Sequence, residues 1–317
     1  MRQIKVAAVA PKAFRLDEEY KNGQAAADYS EEAARNGAQL VCFPEGYPGP
    51  SSGPMDCGEY LPKMPVEMLR DSAKKLGIYI SCSNVEESEK VVDAYYMCHK
   101  LIAPNGKILA NYKRCQPPLA IINEYFFNGR SCFLAGDGPV VVDTELGKIG
   151  LIVCSELFVP ELSRIEMLMG AEIILDPIAG TYSQIRTQRY ETNGTFSRKS
   201  KMDLWQCVAR ARAAENILFV IGTANVFYDS SPWGSFIVSP EDILVSSVGE
   251  GIIYSILEME RLEYLRSNYF KCEDFETLPT DGSDYRPLLC LPAQNRDRRP
   301  EIYSKLIEPQ TDAFVFK

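Results

Sequence analysis

Histidine is almost absent from this sequence of 317 residues, in which His99 is the single example. Histidine-rich metal sites and Ser-His-Asp triads both require a positioned imidazole. Any catalysis by this chain must therefore use mainly carboxylates, lysine and cysteine. His99 itself lies in a run typical of a strand, Tyr95 to Lys100, and we predict a structural role for it.

Net positive charge and long apolar runs are also lacking. A formal net charge of -9 gives no basic surface for phosphates, which argues against nucleic acid or an anionic membrane as a partner. No run approaches the ~20 apolar residues of a membrane helix, and the apolar run before Pro11 is too short for a signal peptide. We therefore expect a cytoplasmic protein that acts on a small molecule.

The cysteines give no sign of a disulfide framework or of a zinc site. Ten cysteines are spread along the chain, with no CxxC pair and no repeated spacing. Disulfide scaffolds are typical of short secreted domains, in which the cysteines are dense and regularly spaced. We expect most of these thiols to be reduced and buried.

The order of predicted elements indicates an α/β fold. A strand over residues 4–10, an alanine-rich helix over 17–36 and a strand over 39–43 form a β-α-β opening. The remaining predicted elements are helices over 65–76, 160–169 and 201–215, and strands over 78–83, 173–175, 217–224, 234–238, 243–247 and 252–257.

Two predicted β-hairpins place chemically active side chains at strand ends. The first spans residues 94–113, turns at Pro104-Asn105-Gly106 and ends at Lys113. The second spans residues 140–153, and its last strand leads directly to Cys154. The carboxyl end of a strand is a common position for a catalytic group in α/β folds.

Three short blocks contain the candidate catalytic residues. They are Phe43-Pro44-Glu45, Tyr112-Lys113 and Gly150-Leu151-Ile152-Val153-Cys154-Ser155-Glu156. Taken singly, Glu45 and Lys113 are typical of solvated side chains, and Cys154 is as typical of an inert core thiol as of a nucleophile. In this order, however, the blocks resemble the Glu, Lys and Cys blocks of the nitrilase-like, or carbon-nitrogen hydrolase, superfamily.

The resemblance implies a hydrolase with a cysteine nucleophile. Cys154 would attack the substrate, Glu45 would be the general base, and Lys113 with the backbone N–H of Ser155 would stabilise the oxyanion. Glu124 would position the lysine or the substrate. No metal ion or organic cofactor is implied.

The register of the lysine block is open by one residue. The family block commonly reads Tyr-Arg-Lys, whereas this chain has Tyr112-Lys113-Arg114. We assign the catalytic position to Lys113, because its separation from Glu124 resembles that in carbamoylase-like members. A second reason is that arginine, which is permanently charged, is a poor replacement for a compact ammonium group.

The residues after the nucleophile indicate the branch of the family. Ser155-Glu156-Leu157 stands where nitrilases usually have Trp-Glu-Asn, so we predict hydrolysis of a small amide or N-carbamoyl compound, with release of ammonia. Conversion of a nitrile to an acid and ammonia is an alternative. A catalytically inactive homologue that acts as a binding protein is another, whereas no G-x-G-x-x-G or Walker sequence supports a nucleotide-binding module.

Two predicted loops, residues 46–62 and 178–199, are the expected walls of the substrate pocket. Either of two arginines in the second loop would pair with a carboxylate on the substrate. The candidate substrate-binding residues are Tyr47, Ser155, Tyr182, Arg186 and Arg189.

The resemblance also implies the architecture, a four-layer α-β-β-α sandwich in which two β-sheets are flanked by helices. We predict a carbon-nitrogen hydrolase domain over residues 1–265 and a C-terminal extension over residues 266–317. We interpret this extension, which is rich in charge, as an arm that contacts a neighbouring subunit. A homodimer or a higher homo-oligomer is the assembly that the family implies.

Overall fold

The computed structural model describes residues 2–51, 60–117, 132–180, 198–229, 231–267, 295 and 298–308, without the side chains of Cys132 and of residues 198–201. The chain forms two compact units, residues 1–263 and residues 264–317. In the second unit the structure describes two short 3-10 helices, Pro300–Ile302 and Ser304–Ile307. The interpretation of this region as an oligomer arm stays a prediction.

The first mixed β-sheet is built from strands of the N-terminal half of the first unit and one strand near the end of that unit. Its strands are β1 (Gln3–Ala10), β2 (Leu40–Cys42), β3 (Tyr79–Glu87), β4 (Ala94–Ile102), β5 (Ile108–Lys113), β6 (Cys132–Phe133) and β13 (Gly251–Glu258). The spatial order is β13-β1-β2-β3-β4-β5, and β6 pairs with β4. The pairs β1–β2 and β2–β3 are parallel, so β2 is a central strand whose carboxyl end meets the loop that contains Glu45.

A second mixed sheet is built from the middle of the chain. Its strands are β7 (Val140–Thr144), β8 (Gly147–Leu151), β9 (Ile173–Ile178), β10 (Phe219–Ala224), β11 (Ser235–Val238) and β12 (Ile243–Ser246). They follow the order β12-β11-β10-β9-β8-β7. The pairs β8–β9 and β9–β10 are parallel, so the loops after β8, β9 and β10 meet at one edge of the sheet.

Helices cover the outer face of each sheet. Those of the first unit are α1 (Lys21–Arg35), α2 (Pro65–Leu76), α3 (Pro160–Leu168) and α4 (Arg198–Asn216), while α5 (Met259–Ser267) directly follows β13. The alanine-rich face of α1 and the apolar face of α2 pack with residues of β1, β2 and β3 in one core cluster. Apolar residues of α4 pack with β9, β10 and β11 in another. Small alanine side chains on α1 let the helix lie close to the strands.

Contacts between the two sheets complete the sandwich. His99 on β4 lies between them: its Nδ1 donates to the carbonyl of Ile152, at 2.9 Å, and Ser81 Oγ donates to its Nε2, at 2.7 Å. The layers are therefore helix, sheet, sheet and helix, and the predicted α-β-β-α sandwich is confirmed. The predicted hairpins over residues 94–113 and 140–153 are also present. Within the described residues, no helix is long and apolar enough to cross a membrane.

Candidate active site

Cys154 lies at a sharp turn directly after the second hairpin. Strand β8 ends at Leu151, and Cys154 is the first residue of a 3-10 helix that extends to Phe158. The backbone φ of Cys154 is 58°, in the left-handed region that non-glycine residues rarely adopt,. Because such a conformation costs free energy and is found preferentially at functional sites, the turn makes Cys154 a candidate functional residue. Its side chain is partly buried.

Glu45 follows β2 and lies inside the protein, with 2% of its surface exposed. Asn225 fixes its backbone, because the Asn225 Nδ2 donates to the carbonyls of Glu45, at 2.8 Å, and of Ala179, at 3.1 Å. In the described part of the chain, Glu45 Oε2 has no hydrogen-bond partner. This oxygen is therefore free to accept a proton.

Arg114 is the basic residue beside Glu45. Its Nη1 lies 3.1 Å from Glu45 Oε1, and its Nη2 donates to Ser155 Oγ at 2.6 Å. Only 2% of the surface of Arg114 is exposed. A buried ion pair of this kind holds the carboxylate and the guanidinium in a fixed relation, since neither charge has water as an alternative partner.

Lys113, to which we assigned the catalytic position, points away from this cluster, and Arg114 is the residue that lies beside Glu45. Its Nζ lies over the ring of Tyr96, 4.1 Å from the centroid. The physical reason is strand alternation, which sends neighbouring side chains to opposite faces of a sheet. Tyr112 pairs with His99, whose side chain reaches the second sheet, and Arg114 shares the face of Tyr112.

Glu156 connects the end of β5 to the turn that contains Cys154. Its Oε2 accepts hydrogen bonds from Tyr112 Oη and from the backbone N–H of Val153, both at 2.8 Å. Its Oε1 accepts one from the backbone N–H of Gln116 at 2.7 Å. Glu156 has 0% exposure. Three bonds to one buried carboxylate therefore fix the position of Arg114 relative to Cys154.

Burial dominates the electrostatics of the cluster. It raises the pKa of Glu45, while the nearby Arg114 charge and the Cys154 thiol lower it without cancelling that effect. Burial also raises the pKa of Cys154 well above its ordinary value, with Glu45 adding to the rise and Arg114 opposing it. The resting thiol is therefore protonated and lies beside a carboxylate with raised proton affinity.

Asp176 and Asn225 belong to this region and were not predicted. Asp176 lies in β9 with 1% exposure, and burial raises its pKa well above the ordinary value. Asn225 directly follows β10 and has 0% exposure. A polar residue within or directly after an apolar strand is the signal that indicates such positions, because buried polar groups are costly without a role.

The remaining predicted residues divide into two groups. Tyr47 is fully buried in the hydrophobic core, where its ring stacks on that of Phe43 with centroids 5.5 Å apart. Its contact with substrate stays a prediction. The predicted roles of Glu124, Tyr182, Arg186 and Arg189 concern positions outside the described residues. No group of His, Cys, Asp or Glu that would hold a metal ion occurs in the part of the chain that the structure describes.

Comparison with known proteins finds relatives that share about a quarter of their residues with this chain. A nitrilase homolog 2 from Dictyostelium discoideum is 26% identical over 266 residues, which cover 80% of this chain and 75% of the relative. An omega-amidase from Homo sapiens is 26% identical over 251 residues, which cover 76% of this chain and 84% of the relative.

Solved structures share the fold. A carbon-nitrogen hydrolase from Helicobacter pylori superposes with a TM-score of 0.70 at 24% identity, covering 97% of this chain and 99% of that one. A double mutant of an amidase from Nesterenkonia sp. in complex with acrylamide gives a TM-score of 0.65 at 19% identity, covering 97% and 98%. The family profile described as carbon-nitrogen hydrolase matches residues 5–266. The chain therefore belongs to the carbon-nitrogen hydrolase family.

Proposed function

We propose that this protein hydrolyses a carbon–nitrogen bond of a small amide or N-carbamoyl compound through a thioester on Cys154. The strongest support is the meeting of three groups in one buried cluster: a thiol on a strained turn, a carboxylate with an unpartnered oxygen, and a guanidinium paired to that carboxylate. Together they supply a nucleophile, a base and a positive charge.

The first half of the reaction forms the thioester. Glu45 takes the proton of Cys154 through its free Oε2 as the sulfur attacks the carbonyl carbon of the substrate,. The charge that develops on the substrate oxygen is stabilised by Arg114 and by the backbone N–H of Ser155. When the tetrahedral intermediate collapses, the carbon–nitrogen bond breaks and Glu45 gives its proton to the departing amine or ammonia.

The second half releases the acid and restores the enzyme. Glu45, ionised again, takes a proton from a water molecule as the water oxygen attacks the thioester carbon. The carbon–sulfur bond breaks and the thiol of Cys154 regains its proton from Glu45. The raised pKa of Glu45 suits this role, because one carboxyl group must both accept and return a proton.

Relatives that carry the name omega-amidase favour an amide as the substrate class. Residues Ser155-Glu156-Leu157 after the nucleophile favour the same branch over nitrile hydrolysis. N-carbamoyl compounds present the same carbonyl–nitrogen bond to the thiol and are the second class that we propose.

The test is an assay of ammonia release from a panel of short amides, amides with a distant carboxylate, N-carbamoyl amino acids and nitriles. Wild type, Cys154→Ala and Cys207→Ala are compared, because Cys207 is an exposed thiol on α4. We expect release by wild type and by Cys207→Ala, and none by Cys154→Ala.

Two results would contradict the proposal. Release by Cys154→Ala at the wild-type rate would remove the thiol from the mechanism. The second result is that no compound in the panel releases ammonia, and a thermal shift assay then separates two conclusions. A compound that stabilises the fold without being hydrolysed would favour the binding-protein alternative. A panel that neither reacts nor stabilises the fold would reject these substrate classes.

A further inference from the structure

We infer that Ser155 is a positioning residue that holds the Arg114 guanidinium in its catalytic orientation throughout the reaction. This inference rests on the proposed function. It assigns to the Ser155 side chain a task separate from that of its backbone N–H, and it explains how an arginine serves beside Glu45 and Cys154.

The guanidinium is held at two points. Nη1 contacts Glu45 Oε1 at 3.1 Å, and Nη2 donates to Ser155 Oγ at 2.6 Å. The third nitrogen, Nε, is buried and has no hydrogen-bond partner among the described residues. A planar guanidinium that is fixed through both Nη atoms has a defined orientation, whereas one fixed through a single Nη can rotate about that contact.

The two contacts differ in how they respond to the reaction. Glu45 gains a proton each time it acts as the base, and a neutral carboxyl group holds a guanidinium less strongly than a carboxylate does. The Ser155 hydroxyl remains a neutral acceptor at every step. Ser155 is therefore the contact that persists when the oxyanion forms, which is the moment at which the Arg114 charge is needed.

The bond from Arg114 to Ser155 is not required to hold the two segments together. Glu156 already joins the end of β5 to the turn at Cys154 through Tyr112, Val153 and Gln116. Removing the Ser155 hydroxyl deletes one oxygen from a partly exposed residue. We therefore expect the fold to persist and the orientation of Arg114 to be the property that is lost.

The experiment compares Ser155→Ala, Ser155→Thr, Arg114→Lys and the double variant Arg114→Lys/Ser155→Ala with wild type. Ser30→Ala is the control, since the hydroxyl of Ser30 bonds to Ala26 within α1. Two quantities decide the test: kcat, which is measured together with KM on the best amide of the panel, and the pH midpoint of the iodoacetamide labelling of Cys154. Thermal unfolding checks that each variant is folded.

We expect Ser155→Ala to lower kcat about tenfold, as for loss of a hydrogen bond to a charged group, with KM within about twofold of wild type. The labelling midpoint of Cys154 should move to higher pH, because a loosened Arg114 opposes the rise in the thiol pKa less effectively. Ser155→Thr keeps the hydroxyl and should restore both quantities. In the Arg114→Lys background, Ser155→Ala should have no further effect, since a lysine ammonium lacks the second nitrogen that donates to Ser155,.

A Ser155→Ala protein that matches Ser30→Ala in both quantities would overturn the inference. So would an equal loss from Ser155→Ala in the wild-type and Arg114→Lys backgrounds. If wild type hydrolyses nothing, the proposed function fails while the labelling profile still decides whether Ser155 controls the charge beside Cys154. A Ser155→Ala variant that does not fold leaves the decision to Ser155→Thr, whose labelling midpoint must equal that of wild type for the inference to stand.

Discussion

At the scale of single residues, the identity of the basic group beside Glu45 decides how the cluster works. Lys113 is the last residue of β5 and Arg114 directly follows it, and the two side chains project to opposite sides of the chain. Tyr112 is a large residue with 1% exposure. Position 114 lies two residues after Tyr112. Strand alternation therefore predicts that Arg114, and not Lys113, shares the inward face of Tyr112.

Replacing each of these residues by alanine gives a matched pair of variants. We expect Arg114→Ala to lower kcat by about 10² to 10³, the usual loss when one donor to an oxyanion is removed. Lys113→Ala should stay within about twofold of wild type, because among the described residues its ammonium group lies over the Tyr96 ring and not beside Glu45,. Steady-state rates on the same amide measure both, and a larger loss from Lys113→Ala would return the catalytic role to that residue.

The proton affinity of Glu45 should appear in the pH dependence of activity. Its pKa is raised by burial, with Arg114 and Cys154 acting in the opposite direction. Because the base must be ionised, kcat/KM should fall as the pH decreases through a value above the ordinary range of a glutamate. Rates over a pH series on wild type locate this limb. Full activity retained below the ordinary glutamate range, or a Glu45→Gln protein with wild-type rates, would remove Glu45 as the base.

At the scale of elements, the sequence was sufficient for most strands and helices, although α5 and the short strand β6 were not predicted, and it was insufficient for the contacts between elements. Hairpins, the alanine-rich helix α1 and the apolar strands have local patterns that predict them. The contacts of Glu156 with the end of β5, and of Asn225 with Glu45, join segments far apart in the chain. Such contacts depend on sheet order and on which loops share an edge, and no local pattern encodes these properties.

The segment that follows β6 supports the end of β5. The backbone N–H of Gly136 donates to the carbonyl of Arg114 at 2.9 Å. A Cβ at position 136 would lie 2.2 Å from the carbonyl oxygen of Lys113, which is a backbone atom and cannot rotate away. Glycine is thus required here by the close approach of two backbones.

Gly136→Ala should therefore displace the end of β5 and Arg114 with it. We expect a loss of stability of about 1 to 3 kcal/mol, as for overpacking, together with a fall in kcat measured at a temperature where the variant is folded. Ala135→Ser changes the exposed neighbour and is the control. Chemical denaturation and rate measurements on the two variants test this. Unchanged kcat in Gly136→Ala would show that the support of Arg114 does not come from this segment.

At the scale of the whole molecule, His99 connects the two sheets and contributes to their packing. The neutral ring of His99 has its one N–H at Nδ1, which donates to the carbonyl of Ile152, and its Nε2 accepts from the Ser81 hydroxyl. Burial lowers the pKa of His99 to about 4, and the charge of Lys100 acts in the same direction. The structural role predicted for this residue from its strand-like surroundings agrees with this position. Its place between the sheets depends on tertiary structure.

The lowered pKa of His99 predicts that acid weakens the sandwich. An unfolded chain binds a proton at this histidine near pH 6.5, whereas the folded chain binds it only near pH 4. Between these values the unfolded state holds more protons, so the free energy of unfolding falls as the pH falls, by about 1.4 kcal/mol per pH unit.

His99→Gln lacks this titration, while groups such as Glu45 titrate alike in both proteins and cancel in the comparison. Urea unfolding should therefore give a stability difference between wild type and His99→Gln that shrinks by about 2 to 3 kcal/mol from pH 7.5 to pH 4.5. A difference that stays constant would mean that His99 has the same pKa in the folded and unfolded chains, against the lowered value. A difference that grows as the pH falls would mean that the folded protein holds the proton more tightly, and Nε2 would then donate to Ser81,.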